Sequence, residues 1–384
     1  MRKNHLFALL ACLVAVAAYI RWAPRAPALT DQVFGQWLEQ CSEQGQDFIS
    51  DNWVSNETAY ADHLAFLRRA IPSGSVFIGV GPEQNFSYLA AVPFRYAFIV
   101  DIRRGNLLQH LYYKVLFEEC PTPQHWLAAL CLRRYDPGWQ HLSYGDWLEA
   151  VGRAPADPGQ SALWRDRFLR EVDRIHFSLR DSDREFLTSL QREFSAKGLD
   201  VRFEYRLPKA GEPTFPSFRE VLLARDPAGS YGCFLADPGG YGRVRRMQQE
   251  NRIIPVVGDF GGRRTFGEIA CILRQHNLKV GLFYASNVEF YLMPRQFPGA
   301  KMENFVWNLE CLPTTAATLL LRTHKMALPG SDPYPWGKPL FVPRLQFLRR
   351  FVQRYEKGEL PDYAQCLLQD DLSLRSATSP ALRK

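Results

Sequence analysis

Apolar positions early in the chain predict two buried strands and two helices. Residues 76–78 and 97–100 are uninterrupted apolar runs, which is typical of strands covered on both faces of a parallel sheet. The first run ends in the turn Gly79-Val80-Gly81-Pro82, and the second ends at Asp101. A short helix is expected between the two runs, and apolar residues at every third or fourth position predict a longer helix over residues 106–119.

The same alternation returns in the second half of the chain. Apolar runs predict strands over residues 253–257 and 280–284, with a helix between them that starts at a capping box, Thr265-x-x-Glu268. The other expected elements are helices over residues 30–41, 51–70 and 243–251 and a strand over residues 199–207. This alternation predicts the α/β class, with an open, mostly parallel, Rossmann-like sheet and helices on both of its faces.

Residues 120–197 show no strand pattern. Tryptophans lie among charged residues there, and the turns Asp136-Pro137-Gly138 and Asp157-Pro158-Gly159 divide the segment. The sequence Ser182-x-x-Glu185 has the form of a capping box and predicts the start of a later helix. We therefore expect a helical insertion over about residues 120–197 within one Rossmann-like domain, residues 29–370.

The first residues of the chain predict membrane targeting. Residues 6–20 carry no charge and follow Arg2-Lys3; as a helix they would span about 22 Å, less than the roughly 30 Å core of a bilayer. This length leaves both a signal peptide and an uncleaved membrane anchor open for residues 1–28. We expect membrane association through this segment, with no indication of which side the domain faces, and a polar tail over residues 371–384.

Charge and cysteine content change this picture little. The formal net charge is +7, but four basic residues and no acid fall within the first 25 positions, which leaves +3 (7 minus 4) for the remainder. No basic tract with interleaved aromatic residues is present, so nucleic acid is not an expected partner. A basic amphipathic run over residues 344–357 predicts a docked surface helix, with a membrane-surface helix as the alternative. The eight cysteines form no Cys-x-x-Cys pair, which favours buried free thiols over a disulfide framework.

The turn after the first strand has the chemistry of a ligand-binding loop. Gly79 permits a tight turn, Gly81 permits a close approach of the backbone to a ligand, and Pro82 suits the first position of a helix. The N–H groups that follow can hold an anion or a carboxylate. Asp101 lies 22 residues after Gly79, where an acid that binds ribose hydroxyls is expected. The alternative is an ordinary strand-to-helix turn without a ligand.

These motifs resemble the class I S-adenosylmethionine-dependent methyltransferase fold. The resemblance implies that the glycine-rich turn lies beside the methionine part of S-adenosylmethionine and that Asp101 holds the ribose hydroxyls. A narrower resemblance, to an uncharacterised bacterial family, covers roughly residues 50–325 and implies no activity. It rests on the motifs GVGPEQN at residues 79–85, VDIRR at 100–104, GDF at 258–260 and SNVE at 286–289.

Two positions depart from the methyltransferase pattern. Phe77 occupies the place of an acid two residues before the first glycine, and Glu83 occupies the place of a third glycine. A carboxylate at position 83 would repel a phosphate or the methionine carboxylate, and it would instead suit an amino group or a substrate. The resemblance therefore supports the fold more than the cofactor.

Polar residues beyond the other strands are candidates for a pocket. Asp259 would orient a substrate amine or act as a base, or else cap local N–H groups. Asn287 and Glu289 would supply polar groups to the pocket, or Asn287 would form an Asx turn before a helix. Arg103 would bind an acidic substrate or stay solvated. The candidate pocket residues are Glu83, Gln84, Asn85, Arg103, Asp259, Ser286, Asn287 and Glu289.

Two functions are open from the sequence. The first is a methyltransferase-like enzyme that acts on a small molecule, because methyl transfer depends mainly on proximity and alignment and needs no strong base. The residues expected to bind its S-adenosylmethionine are Gly79, Gly81, Pro82 and Asp101. The second is a non-catalytic, membrane-tethered ligand-binding or interaction module on the same fold, which Phe77, Glu83 and the N-terminal segment favour.

Overall fold

The architecture comes from a computed structural model that describes residues 27–207, 211, 213–293, 301–325, 339–360, 362–368 and 370–372. The expected targeting segment, apart from residues 27 and 28, and the polar tail beyond residue 372 lie outside the described residues. Within the part of the chain that is described, no helix is long and apolar enough to cross a lipid bilayer.

Six strands of the described residues form one sheet in the order β3-β2-β1-β4-β5-β6. They are β1 (Val76–Gly79), β2 (Tyr96–Asp101), β3 (Ile253–Val257), β4 (Val280–Ser286), β5 (Thr314–Lys325) and β6 (Phe341–Phe347). Neighbouring strands are parallel, except that β6 is antiparallel to β5. Every residue of β1, β2 and β3 is buried, so both faces of the sheet are covered there. The expected α/β, Rossmann-like architecture is confirmed.

Helices flank this sheet and fill most of the connections. The α-helices are α1 (Asp31–Cys41), α2 (Leu64–Ala70), α3 (Asn85–Ala91), α4 (Arg104–Glu119), α5 (Pro123–Leu130), α6 (Tyr144–Arg153), α7 (Pro158–Arg174), α8 (Asp181–Lys197), α9 (Phe218–Leu222), α10 (Pro238–Gln249), α11 (Arg264–Gln275), α12 (Val288–Leu292), α13 (Met302–Cys311), α14 (Leu348–Glu356) and α15 (Tyr363–Leu368). Short 3-10 helices cover Ala59–His63, Pro137–His141 and Gly198–Asp200.

The strands β1 and β4 are neighbours in the sheet although β2 and β3 lie between them in the chain. The chain runs from β1 outward to β2 and β3 and then returns to place β4 on the other side of β1. The segments that leave the carboxyl ends of β1 and β4 therefore diverge and open a crevice. Open α/β sheets bind their ligands at such a switch point.

The segment before β1 is not the long helix expected over residues 51–70. Residues 51–58 are irregular, and they are followed by the 3-10 helix and by α2. Ser55 and Glu57 are buried in this irregular segment, where their side chains bind Gln84 and Ser286 instead of capping a helix. The segment leaves the helical path because its polar groups find partners at the ends of β1 and β4.

The strand expected over residues 199–207 is absent from these described residues. A 3-10 helix, Gly198–Asp200, is followed by irregular chain with an isolated bridge. Phe203 and Tyr205 pack into an aromatic cluster with Phe215, so the alternation of apolar residues reflects this packing and not a position in the sheet.

The two expected capping boxes are wrong in detail, although both helices exist. At the start of α8, the carboxylate that accepts a backbone bond is Asp183, from the Arg180 N–H at 2.8 Å, and not Glu185. At α11, the N-cap residue Arg263 makes no side-chain cap bond, the Thr265 hydroxyl donates to the Cys41 carbonyl at 2.9 Å, and the Glu43 carboxylate accepts the Thr265 N–H at 3.1 Å. At α11 these partners lie far away in the chain, so the local motif does not show them.

The helical insertion is confirmed. Residues 120–197 contain α5 to α8 and a 3-10 helix, and none of these described residues belongs to a strand of the sheet. Helices α5, α7 and α8 pack on α4, which in turn packs on β2 and β3. Trp126 and Trp164 are buried within the insertion, so it shares one hydrophobic core with the sheet.

This core contains Phe77 and most of the cysteines, whose roles the sequence did not decide. Phe77 is fully buried in β1 and packs against Phe94 and Tyr88, with ring centroids 5.4 and 6.0 Å away. The seven described cysteines are free, and five of them are buried. Phe77 and these thiols therefore act as packing residues.

The C-terminal part adds two strands that were not expected, β5 and β6. The basic run over residues 344–357 is divided between the end of β6 and α14, which docks on the body with one apolar side buried. The docked surface helix is therefore confirmed for residues 348–356. Asp371 is buried and pairs with Arg344 at 2.8 Å, and Leu372 packs against the core, so the folded domain continues two residues into the expected tail.

Candidate functional site

A cavity of about 230 Å³ lies at the carboxyl ends of the strands, at the switch point between β1 and β4. This volume is below the roughly 300 Å³ at which pockets for drug-sized ligands begin, so it suits a small molecule or one end of a larger ligand. The sequence-predicted residues that line it are Gly81, Pro82, Gln84, Asp101, Arg103, Asp259, Ser286 and Asn287. Those that do not line it are Gly79, Glu83, Asn85 and Glu289.

Gly81 faces the cavity, as a ligand-binding glycine should. Its φ of +80° is in the left-handed region, which disfavours any residue with a side chain. A Cβ placed on Gly81 would meet only the Asn52 amide nitrogen, 3.9 Å away, so the space in front of this residue is open. The backbone at Gly81 is therefore accessible to a ligand.

Gly79 has a different role from the one expected. A Cβ there would lie 2.2 Å from the Asn85 Oδ1 and 2.5 Å from the Phe77 ring. The missing side chain makes room for Asn85, whose amide donates to the carbonyls of Val80, Gly81 and Pro82 at 2.8–3.1 Å. Gly79 and Asn85 thus hold the shape of the turn from behind. We call residues 80–84 the β1 loop.

Pro82 lines the cavity, but it does not open the helix. α3 begins at Asn85, with Gln84 in the N-cap position and no side-chain cap bond. Behind the β1 loop, His110 is buried, and this burial lowers its pKa from 6.5 to about 4. The ring is therefore neutral near pH 7, and its Nε2 donates to the Gly81 carbonyl at 2.9 Å. His110 is structural.

Asp101 ends β2 at the cavity and is paired with Arg103. The Arg103 backbone N–H and Nε donate to Asp101 Oδ1 at 2.9 and 3.0 Å, and Nη2 donates to Oδ2 at 2.8 Å. The Nη1 of Arg103 donates to the Asp51 carbonyl. A carboxylate offers about four lone-pair sites, so about one, on Oδ2, is left for a ligand. Arg103 is neither solvated nor free to bind an acidic substrate, and it contacts both of the Asp101 oxygens that ribose hydroxyls were expected to satisfy.

Asp101→Asn is expected to lower the free energy of unfolding by about 2–3 kcal/mol. Removing one partner of a buried ion pair typically costs about 3–5 kcal/mol, and asparagine retains one acceptor. Urea denaturation measures this loss, with the fully exposed Asp47 as the matched site: Asp47→Asn should change stability by no more than about 0.5 kcal/mol. Equal stability of the two variants would contradict the importance of the Asp101–Arg103 pair.

Of the two roles that the sequence left open for Asp259, the contacts of its carboxylate show the local cap. Its Oδ1 accepts the Gly261 N–H at 2.8 Å, which is a local cap. Its Oδ2 pairs with the Lys301 ammonium and also accepts from Gln46 at 3.4 Å. The residue lines the cavity with its charge already compensated.

Glu57 is the charged cavity residue that sequence reasoning missed. It is 2% exposed, and four side chains donate to its carboxylate. The donors are Ser286 Oγ (2.6 Å), Thr323 Oγ1 (2.6 Å), Tyr284 OH (2.9 Å) and Gln84 Nε2 (3.2 Å). They come from the β1 loop, β4 and β5, so one carboxylate ties together the segments on the two sides of the switch point. Only the SNE triplet at residues 55–57, which resembles SNVE at 286–289, marked this position in the sequence.

The donors around Glu57 are held in place by burial and strain. Burial, and then the negative charge of Glu57, raise the pKa of Tyr88 and Tyr284 well above 10.0, so both hydroxyls stay protonated. Gln84 contacts both hydroxyls at 3.0 Å and accepts from Ser55. Ser286 has a φ of +48°, an unfavourable conformation that aims its hydroxyl at Glu57. Gln84 and Ser286 therefore organise the buried carboxylate.

Glu83 and Glu289 were expected to face a ligand, and both are turned into the protein. Glu289 pairs with Arg322, with both side chains buried, and Asn287 lines the cavity without capping α12. Glu83 is 1% exposed, and one of its oxygens accepts the Ser55 N–H at 3.1 Å. Burial raises the pKa of Glu83 from 4.5 to about 7.

This raised pKa predicts a pH-dependent stability. The folded state holds the Glu83 proton up to about pH 7 and the unfolded state only up to about 4.5, so stability is lost as pH rises through this window. At about 1.4 kcal/mol for each pKa unit, the loss is roughly 3 kcal/mol. Glu83→Gln should remove the loss, be more stable than wild type at pH 8, and flatten the curve measured by urea denaturation. The exposed Glu185→Gln is the control, and a Glu83→Gln curve parallel to wild type would contradict the assignment.

Aromatic residues make up much of the apolar part of the cavity lining. Phe203 and Phe341 belong to a buried cluster, against which Phe48 and Tyr205 pack. Tyr291, on α12, contacts Phe48 with a centroid distance of 5.4 Å. All five line the cavity. We call this set the aromatic wall.

The fold and site define a Rossmann-like α/β protein with a small switch-point cavity that is polar on one side and aromatic on the other. The chain matches the family described as Domain of unknown function (DUF7790) over residues 52–135 and 175–357, and it belongs to this family. The match omits residues 136–174, so all of α6 and α7 in the helical insertion lie outside the family pattern, whereas all six strands of the described sheet lie within it. No curated protein sequence matches the chain.

Proposed function

We propose that this protein binds a nucleoside-type small molecule in the switch-point cavity, with S-adenosylmethionine as the first candidate, and that it acts as a methyltransferase-like enzyme. The observation that carries the proposal is the position of Gly81 and Asp101, which follow adjacent parallel strands and line one cavity at the switch point. Rossmann-like sheets hold a nucleotide between such a glycine and such an acid.

The geometry supports part of this assignment residue by residue. The open space in front of Gly81 permits close approach of a ligand to the backbone. Asp101 Oδ2 keeps about one acceptor site for a hydroxyl. The aromatic wall offers flat apolar surface of the kind on which a base stacks. These features favour a ligand with one polar end and one flat or apolar end.

A second candidate is a non-catalytic binding module on the same fold. The internal pairing of Asp101 with Arg103 and of Asp259 with Lys301 favours it, because two acids suited to substrate chemistry are engaged in structure. Glu83, placed where a substrate group was expected, is buried away from the cavity.

Calorimetric titration of the full-length protein with S-adenosylmethionine, S-adenosylhomocysteine, NAD and ATP tests the proposal. Binding of the first two supports the cofactor, whereas binding of none of the four contradicts it. If S-adenosylmethionine binds, release of S-adenosylhomocysteine in the presence of a panel of small amines separates the enzyme from the module. Gly81→Val, discussed below, locates the binding in the cavity.

A further inference from the structure

The acids at the cavity differ in how their charges are compensated. Asp101 pairs with Arg103, and Asp259 pairs with Lys301. Glu57 has no cationic partner within the described part of the chain; its four partners there are hydroxyl and amide groups. The hydrogen bonds fit a carboxylate that only accepts, but neutral donors do not cancel its charge. The cavity is therefore lined by one uncompensated negative charge in a site of low dielectric constant.

The hydrogen bonds of Glu57 also restrict what can neutralise it. Its two oxygens accept two bonds each, from Ser286 and Thr323 on one and from Tyr284 and Gln84 on the other. A metal ion or a primary ammonium group would need lone pairs that are already engaged, and no group of three or more potential ligands in the described residues is placed to hold a metal. A fully alkylated cation donates no hydrogen bond and needs only the field of the carboxylate.

The aromatic part of the cavity lining suits the same kind of ion. The aromatic wall presents the rings of Phe48, Phe203, Tyr205, Tyr291 and Phe341 to the space that Glu57 also lines. Aromatic faces attract alkylated ammonium groups through the ring quadrupole, and they contact the methyl groups at the same time. The cavity volume, about 230 Å³, is suited to a small alkylated ammonium ion.

We propose that the cavity binds a small alkylated organic cation, an ammonium or a sulfonium, between the Glu57 carboxylate and the aromatic wall. The inference rests on the proposed function in using the same cavity, and it adds the charge and class of the ligand. A sulfonium would belong to S-adenosylmethionine itself, and a quaternary ammonium would belong to another small molecule.

The test is calorimetric titration of the full-length protein with choline and with 3,3-dimethylbutan-1-ol, which replaces the charged nitrogen by carbon at nearly the same shape. Choline should bind at least tenfold more tightly than the neutral analogue. Glu57→Gln should remove this preference, and Phe48→Leu, which keeps an apolar side chain, should weaken choline binding several-fold. Equal binding of the two probes by wild type, without a preference for S-adenosylmethionine over S-adenosylhomocysteine in the parallel titration, overturns the inference. If Glu57→Gln does not fold, the comparison of choline with its neutral analogue and the Phe48→Leu variant still test whether the cavity binds a cation.

A parallel titration with S-adenosylmethionine and S-adenosylhomocysteine distinguishes the two sources of the cation. Tighter binding of the sulfonium compound, lost in Glu57→Gln, assigns the charge to the cofactor and supports the inference even if choline is weak. If choline binds and neither S-adenosylmethionine nor S-adenosylhomocysteine binds, the inference is supported and the proposed nucleoside ligand is contradicted. Equal binding of both nucleosides, unchanged in Glu57→Gln and without choline binding, overturns the inference and leaves the proposed function standing.

Discussion

Gly81→Val is expected to abolish binding at the switch-point cavity, whereas Gly74→Val is expected to leave it unchanged. Both glycines have a φ of +80°, and a Cβ at either position meets no atom closer than 3.9 Å. Each substitution therefore carries a similar backbone cost, roughly 1–2 kcal/mol for a left-handed residue. They differ in position, because Gly81 lines the cavity and Gly74 lies in an exposed turn before β1. Valine methyl groups at position 81 would occupy the ligand space.

The measurement is the shift in melting temperature that S-adenosylhomocysteine or choline produces in each variant. The two unliganded variants should melt at similar temperatures below wild type, so a difference between them in the ligand-induced shift reports the site alone. A shift that survives in Gly81→Val would place the ligand elsewhere. A shift lost from both variants would mean that the backbone strain, and not the occupied space, is responsible.

The parts of the fold that the sequence predicted are those that local pattern determines. β1 to β4 are short apolar runs that end in glycine or a polar residue, and each was located to within two residues. The amphipathic repeat before Glu119 predicted α4 for the same reason. Because parallel strands end at one edge, these assignments also place Gly81, Asp101 and Asp259 beside a common cavity.

The parts that were missed depend on partners far away in the chain. Glu57 lies in a segment whose local pattern resembles a helix start, and its role depends on Thr323, 266 positions later. Asp101 and Arg103 are two residues apart, so their pairing is local, but the motif did not show that the arginine folds back on the acid. Glu83 and Gln84 are adjacent and both buried, but only Gln84 lines the cavity. The sequence motif does not show which of the two side chains points toward the cavity. Side-chain direction after a strand requires the tertiary structure.

Arg322→Met is expected to lower the free energy of unfolding by about 3–5 kcal/mol, the loss typical when one partner of a buried ion pair is removed. Arg322 and Glu289 are 0% and 1% exposed, and the guanidinium Nη1 lies 2.8 and 2.9 Å from the two carboxylate oxygens. Burial raises the pKa of Glu289, and the charge of Arg322 opposes this rise. Without Arg322 the pKa of Glu289 should rise further, so the stability loss should be smaller at acid pH than at pH 8.

Glu289 lies on α12, which also carries the cavity residue Tyr291, so this ion pair anchors one end of the aromatic wall to β5. The double variant Glu289→Gln with Arg322→Met should recover part of the stability, because no buried charge is then left alone. Arg349→Met is the control: Arg349 makes two hydrogen bonds, to Thr314, whereas Arg322 makes four, and because Arg349 is exposed its loss should cost about 1 kcal/mol or less. Urea denaturation at pH 5 and pH 8 measures all four proteins. If Arg322→Met costs no more than Arg349→Met, or if its cost is the same at both pH values, the buried pair does not hold α12 in place.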